Sequence, residues 1–319
     1  MSSRASYVIR RLLLTVPMLL FMSVVVFLVL RLVPGDPVRA MLGIEATPQS
    51  IAVARNQLGL NMPLPQQYLH WLGQLLHGNL GQDYASQKPV TSLIAAAFPV
   101  TLELTVLTML VTVVVGVSLG VMAATRRNWA SKAIDGFVVA GIAIPNFWLG
   151  LVLVVLFAGT IKLFPPLGYV SLTADPLQNL RDMVLPVVTL AVAQVAYVLH
   201  TTEGAMRVAL DSPSVQFHRA KGLSRRRIIY RHALRNASGP VVTVIGLQFG
   251  YLIGGVIVIE ALFGLPGLGQ LIVNAINNRD YTVVQGGVFV VAGLFILITL
   301  GADLLCAWLD PRIMENQAR

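Results

Sequence analysis

The chain has 319 residues, 56% of them hydrophobic and 12% charged, with a mean hydropathy of +0.75; so apolar a composition over this length excludes a soluble globular domain and predicts a multi-span membrane protein. The net charge of +9 and pI near 10.1 do not point to nucleic acid, because the basic residues sit in loops between apolar runs, without an aromatic-interleaved patch or zinc-ligand spacing. The single cysteine, Cys306, lies in the last apolar run and excludes an intrachain disulfide.

Six runs are long enough to cross a hydrocarbon core of about 30 Å, which takes roughly 20 helical residues: 12–34, 98–124, 133–160, 184–206, 240–262 and 283–307. Arg4, Arg10 and Arg11 precede the first run as they would in a signal peptide. Leu12 to Leu30 is longer than a signal core, however, and leads into Arg31 without a small-residue cleavage site, so it reads as a retained span. Pro34-Gly35-Asp36-Pro37 then stops the helix. In the segment 35–97, Tyr68, Trp71, Leu72, Leu75 and Leu76 recur at helical spacing, predicting a helix that lies on the bilayer surface or caps the bundle. His70 and His77 lie near it with no Cys, Asp or Glu at ligand spacing, and read as surface histidines.

Gly116-Val-Ser118-Leu-Gly120 matches the hydrolase pattern G-x-S-x-G, but it sits inside an apolar helix where the chemistry needs a strand-to-helix elbow, so it reads as small-residue helix packing. In the third run Pro145 frees a backbone carbonyl and Asn146 brings an amide to mid-depth, either for a kink beside a water-filled path or for helix packing. Gln194, Gln248 and Tyr251 join Asn146 as candidates for lining that path. Gly246, Gly250 and Gly254 form a four-residue stripe suited to a subunit contact, although a pore lining also favours small residues. Gly264-Leu-Pro266-Gly267-Leu-Gly269 predicts a sharp turn, followed by a short re-entrant or surface helix through Leu271, Ile272 and Ile276.

Between the fourth and fifth runs lies a polar, basic island, residues 211–240. Arg207, Arg219, Lys221, Arg225, Arg226, Arg227, Arg231 and Arg235, eight of the 23 Lys and Arg, lie in or beside it. Asp211 or Ser212 can cap a helix, Pro213 suits its first position, and Gly222 can supply the left-handed residue that ends it. A second helix starts after Ser224, with Ile228, Ile229, Ala233, Leu234 and Ala237 as its apolar stripe. An interfacial helix against anionic headgroups is one reading. Ser214, Gln216, His218 and Lys221 leave the first helix little apolar face, which favours a protein groove instead.

The six-span arrangement places 16 Lys and Arg on the side of both termini and 6 on the other, with Arg31 at a span end; both termini are therefore expected in the cytoplasm. The central thirds of the runs carry no carboxylate: Glu103 and Glu260 fall near outer ends, and Asp135, Glu203 and Asp303 near inner ends. His200 is a weak proton-relay candidate, so a gradient-driven carrier is disfavoured. No G-x-x-x-x-G-K-[ST] loop is present either, so energy for uphill transport would come from another polypeptide.

Arg219-Ala-Lys-Gly222-Leu-Ser224, His232-Ala-Leu-Arg-Asn236-Ala and Pro240-Val-Val-Thr243 resemble the cytoplasmic signature of bacterial ABC importer permeases of the dipeptide, oligopeptide and nickel class. Leu32-Val-Pro-Gly-Asp-Pro37, Gln57-Leu-Gly-Leu60, Gly78-Asn-Leu-Gly81, Thr101-Leu-Glu-Leu-Thr105, the run from Glu260 to Gly269 and Asp310-Pro-Arg-Ile313 agree, in the right order over nearly the whole chain. The resemblance implies an all-α half-pore subunit that performs no covalent chemistry and pairs with a second, similar permease in the bilayer. It also implies two cytoplasmic ABC ATPases, which hold the ATP and magnesium while this chain binds no cofactor, and an external solute-binding protein. A short helix would dock in the ATPase. Carried onto this sequence, that contact comprises Pro213, Gln216, Phe217, His218, Arg219, Ala220, Lys221, Gly222, Leu223, Ser224 and Arg225. Where the family commonly has acidic residues and a tyrosine ahead of R-A-K-G, this chain has Ser212, Pro213 and Ser214, then Gln216, Phe217 and His218.

The expected organisation is a first span with an external segment (1–97), a five-helix core with the coupling segment 207–239 (98–310), and a cytoplasmic tail (311–319). The expected function is permease for dipeptides, oligopeptides or related solutes in the bacterial inner membrane. A gated channel or ion-gradient-driven carrier acting without ATPases is the alternative.

Overall fold

The computed structural model describes residues 3–32, 38, 42, 46–57, 59–84, 86–126 and 129–309. The turn expected at Pro34 to Pro37, the Asp310 motif and the tail at 311–319 lie outside these residues. Apart from an isolated bridge between Gln82 and Pro89, the described residues are helices and their connections.

Among the described residues eleven helical stretches carry the fold: α1 (Ser3–Leu32), α2 (Pro48–Gln57), α3 (Leu64–Leu76), α4 (Val90–Thr125), α5 (Trp129–Ala143), α6 (Asn146–Thr160), α7 (Pro176–Leu210), α8 (Pro213–Ala220), α9 (Arg225–Phe263), α10 (Leu268–Asn277) and α11 (Tyr281–Leu309). Five of them, α1, α4, α7, α9 and α11, contain stretches long and apolar enough to cross a membrane. The third predicted span is broken: α5 and α6 meet at 106° across Ile144 and Pro145, so the count reaches six where this pair is one span. Proline accounts for the break, since it disfavours helical geometry in the residue before it and removes a donor. Pro145 stands in the extended region, φ −62° and ψ 133°. The final turns of α6, Val154–Thr160, are π-helical.

The chain forms two compact units. One comprises Met1–Arg11, Glu103–Gly264 and Ile298–Arg319; the other comprises Leu12–Leu102 and Leu265–Leu297.

In the first unit α7 is the buried helix. It begins well before the predicted span because Asp175 caps it, accepting from the Leu177 and Gln178 amides at 3.0 and 3.1 Å, with Pro176 in the first turn. Asp182 and Asn179 lie inside this helix and fasten the preceding loop. Val170 N–H donates to Asp182 Oδ2 at 3.0 Å, and Asn179 Nδ2 donates to Val170 O at 2.9 Å. Tyr169 in the same loop donates to Glu103 at 2.8 Å; burial and that bond push its hydroxyl up to about 12, so it remains a donor. Neighbouring helices reach α7 through glycines. A Cβ on Gly116 would lie 3.0 Å from Val198, on Gly120 2.6 Å from Thr202, and on Gly141 3.0 Å from Ala196. The formal G-x-S-x-G match is therefore a close-packed helix face.

In the second unit the predicted amphipathic helix is α3. Its Tyr68 and Trp71 rings lie 5.4 and 5.9 Å from Phe27 of α1, Trp71 lies 6.0 Å from Phe289 of α11, and the Tyr68 hydroxyl meets Ser23 Oγ at 2.8 Å. His70 and His77 are exposed and bond within the helix, to Gln74 and to Gly73 O, and no metal-binding group of three or more His, Cys, Asp or Glu occurs among the described residues. The expected turn at Gly264 is present, with φ +64°, and α10 follows it, burying Leu268, Gly269, Ile272 and Ala275 while Ile276 is exposed. Leu268 N–H donates to Thr101 Oγ1 at 2.8 Å. Asp280 caps α11, accepting from Val283 N–H at 2.9 Å, and also accepts from Tyr84 N–H at 2.6 Å, which ties the loop around residue 84 to this helix start. Burial, with a hydrogen bond to Asp83, raises its carboxyl to about 6.

Candidate coupling site

The basic island folds as a helix, a left-handed turn and a second helix. Ser212 occupies the cap position of α8 in extended geometry, although its hydroxyl donates back to Ala209 O at 2.7 Å and not to the new helix. Pro213 stands at the first helical position. At the other end Gly222 has φ +74°, its N–H bonds Arg219 O at 2.9 Å, and Leu223 N–H reaches back to His218 O at 3.3 Å. This is the Schellman pattern, in which a left-handed residue satisfies the last carbonyls. The second helix starts after Ser224, but it does not stop before the fifth span. α9 runs unbroken from Arg225 to Phe263, through a π-helical stretch at Ile228–Ala233 and with Pro240 inside it. A rigid lever thus joins the island to an apolar span.

α8 fully buries a single side chain. Val215 is completely buried, in a cluster with Val121 of α4, Met206 and Ala209 of α7, and Ile228, Ala233 and Ala237 of α9. Burying a valine stabilises by about 1.5–3 kcal/mol, enough to hold a two-turn helix against three longer ones. The opposite surface faces out: Pro213, Gln216, Phe217, Arg219, Ala220 and Lys221 are exposed, and Lys221 Nζ stands 4.4 Å over the Phe217 ring. His218 turns the other way and stacks edge-on against His232, with ring centroids 3.9 Å apart.

Arg225 has an intrachain partner. It donates to Thr125 O, the last carbonyl of α4, at 2.7 Å, where a cation is favoured by the helix dipole. Arg207 pairs with Glu203 one turn earlier on α7. Arg207, Arg219 and Arg225, with Asp211, line an open groove of about 720 Å³ between the base of α4 and α8. A second groove, about 800 Å³, lies at the start of α8 and is lined by Ser212, Ser214, Arg235 and Asn236 together with apolar groups such as Val208 and Ala209. The exposed helix thus has two open grooves beside it, one mainly polar and one mixed, a shape suited to contact with another protein.

The residues predicted for a path are not alike. Asn146 sits at the break between α5 and α6, close enough to α9 that a Cβ on Gly255 would lie 3.9 Å from its Nδ2. Gln194 and Gln248 are buried, and Gln194 Oε1 has no hydrogen-bond partner among the described residues. Tyr251 is 71% exposed. The three glycines also diverge: a Cβ on Gly246 would lie 2.7 Å from Ala302 of α11, Gly250 is buried, and Gly254 is exposed with nothing near it. The stripe is therefore committed at one end to the chain's own packing. The structure adds a row of buried threonines on α4, Thr101, Thr105, Thr108 and Thr112, which hydropathy alone does not single out. Its signal is the four- and three-residue spacing of hydroxyls in an apolar run, which marks one helix face.

Residues 116–315 match the family of binding-protein-dependent transport system inner membrane components, and residues 4–105 match the N-terminal region model of such membrane components. The chain belongs to this family. It is the family that the sequence motifs resembled, the permease subunits of ABC importers, and the chain is a multi-pass protein of the cytoplasmic membrane. A probable peptide ABC transporter permease protein of Sinorhizobium fredii is 40% identical over 96% of this chain and 98% of that protein. The glutathione transport system permease protein GsiC of Salmonella typhi is 40% identical over 97% of this chain and 98% of that protein. Among solved structures, the inward-facing MetNI methionine ABC transporter shares the fold with a TM-score of 0.53 at 18% identity, covering 68% of this chain and 96% of that one. In this permease the family signature from Arg219 to Asn236 is the end of α8, the left-handed turn after it and the start of α9.

Proposed function

We propose that the chain is one half of the translocation unit of an ATP-driven importer for small peptides or peptide-like solutes, with α8 as its contact to the ATPase. The carrying observation is the build of α8: an outward-facing polar helix held by Val215 and by the left-handed turn at Gly222, joined without interruption to the long helix α9. A load applied to α8 is transmitted to a membrane helix through a few rigid contacts.

In this reading α5 and α6 together make one of six spans, both termini are cytoplasmic, and the coupling segment 207–239 lies on the same side as the termini. A second, similar permease completes the path, two ABC ATPases hold ATP and magnesium, and an external binding protein delivers the solute. The chain itself performs no covalent chemistry. Asn146, Gln194 and Gln248 are assigned to the path, and the exposed face of α9 carrying Tyr251 and Gly254 to the second permease or the path. The names of the relatives, peptide and glutathione permeases, support a solute with peptide bonds.

Purification of the tagged chain from gently solubilised membranes, with mass spectrometry of what remains attached, tests this reading. The expected companions are a second multi-span permease and ATP-binding subunits. A chain that emerges alone or as a homo-oligomer would turn the basic island into a lipid anchor and favour a channel or carrier.

A further inference from the structure

The second unit contains a cavity of about 470 Å³ at the C-terminal end of α1, within the range of small-molecule sites. Arg31, Gln67, Trp71, Tyr84, Tyr281 and Gln285 form the part of its wall that matters here. Arg31 is held in place. Gln67 donates its Nε2 to Met62 O at 2.8 Å and to Leu60 O at 3.2 Å, which turns Oε1 towards Arg31 Nε at 3.3 Å. The Phe27 ring lies 4.6 Å under the guanidinium. Gln67 and Phe27 thereby fix the plane of the group, and no described residue accepts from its terminal nitrogens. Among the described residues no carboxylate pairs with Arg31, and none lines the cavity. Gln285, only 7% exposed, lines the same space, and its Nε2 donor has no acceptor among the described residues.

A positioned guanidinium and a buried amide donor, both short of acceptors, call for an anionic oxygen pair, and a planar fork matches a carboxylate better than a point charge does. A buried donor without a partner costs about 1–3 kcal/mol, so a ligand that accepts from it gains accordingly. The volume exceeds what a bare ion needs, and Trp71, Tyr84 and Tyr281 offer apolar and stacking surface to the rest of a ligand. We propose that this cavity is a binding site for the carboxylate of a small solute, with Arg31 and Gln285 as its donors and Gln67 as the positioning residue. The choice of a peptide as that solute rests on the proposed function; the carboxylate chemistry does not.

The test uses the full chain in lipid nanodiscs, titrated calorimetrically with alanyl-phenylalanine and with alanyl-phenylalanine amide. The expected result is saturable binding of the acid, with the amide about tenfold weaker or worse. Arg31→Gln should weaken the acid to the level of the amide, and Gln285→Leu should weaken it about threefold or more, with both variants monodisperse. Equal affinity for acid and amide in the unaltered chain, or no saturable binding of either, would overturn the site without reference to any variant. An acid preference that survives in Arg31→Gln would place the ligand elsewhere and overturn it too. Since no partner subunit is present, the outcome is independent of whether ATPases co-purify.

Discussion

Gly222→Pro is expected to abolish ATP-driven uptake while the chain still inserts in the membrane and the ATPases still hydrolyse ATP. Proline fixes φ near −65°, whereas Gly222 stands at +74° and donates its N–H to Arg219 O. The substitution therefore removes both the left-handed turn and one of the bonds that close α8. The rest of the molecule has little reason to respond, because a Cβ at Gly222 would meet nothing within 4 Å. Gly222→Ala separates the two effects: it keeps the N–H and costs roughly 1–2 kcal/mol for the left-handed geometry, so uptake should fall only partially. Reconstituted vesicles loaded with the ATPases would report uptake and hydrolysis together. Normal uptake with proline at position 222 would remove α8 from the coupling route.

Gly120→Leu should act through stability and not through coupling. Gly120 faces α7 so closely that even a single Cβ would come within 2.6 Å of Thr202 Cβ and 2.8 Å of Leu199 O. Leu199 O belongs to the backbone of the most buried helix and cannot move aside without shifting α7. Overpacking of this kind costs about 1–3 kcal/mol for small additions, and a leucine adds four carbons. The expected outcome is loss of monodisperse protein in mild detergent, with Gly120→Ala intermediate. Gly136→Leu is the control, since a Cβ there would meet nothing within 4 Å. Equal behaviour of the two leucine variants would contradict the close approach of α4 to α7.

Local chemistry is what the sequence displayed well. Pro213 and Gly222 bracket α8 by rules that act within a few residues, and Tyr68, Trp71 and the leucines around them announce α3 by spacing alone. Hydropathy misplaced the longer helices wherever charge was part of the helix. Arg181 and Asp182 made the start of α7 look like a loop, although Asp175 and Pro176 were the capping signal and Asp182 bonds back to Val170. The helix start after Ser224 was legible from its cap and stripe, but the charge of Arg225, Arg226 and Arg227 hid its continuity with the fifth span: α9 runs through Pro240 to Phe263 as one helix. The π-helical stretches at Val154–Thr160 and Ile228–Ala233 have no local signature. Nor could spacing reveal that Gly246 faces Ala302, or that Gln67 would hold Arg31, since these pairings join residues far apart in the chain.

The claim that α8 is the surface met by the ATPase is tested most directly by cross-linking. Gln216 is exposed on the outer face of α8, and Val139, on α5 and away from both grooves, is 70% exposed and apolar. With a photoreactive phenylalanine at either position and the ATPases co-expressed, irradiation of intact membranes should yield an ATPase adduct from position 216 and none from position 139. An adduct with lipid at position 216, or no adduct with any ATP-binding subunit, would contradict the account.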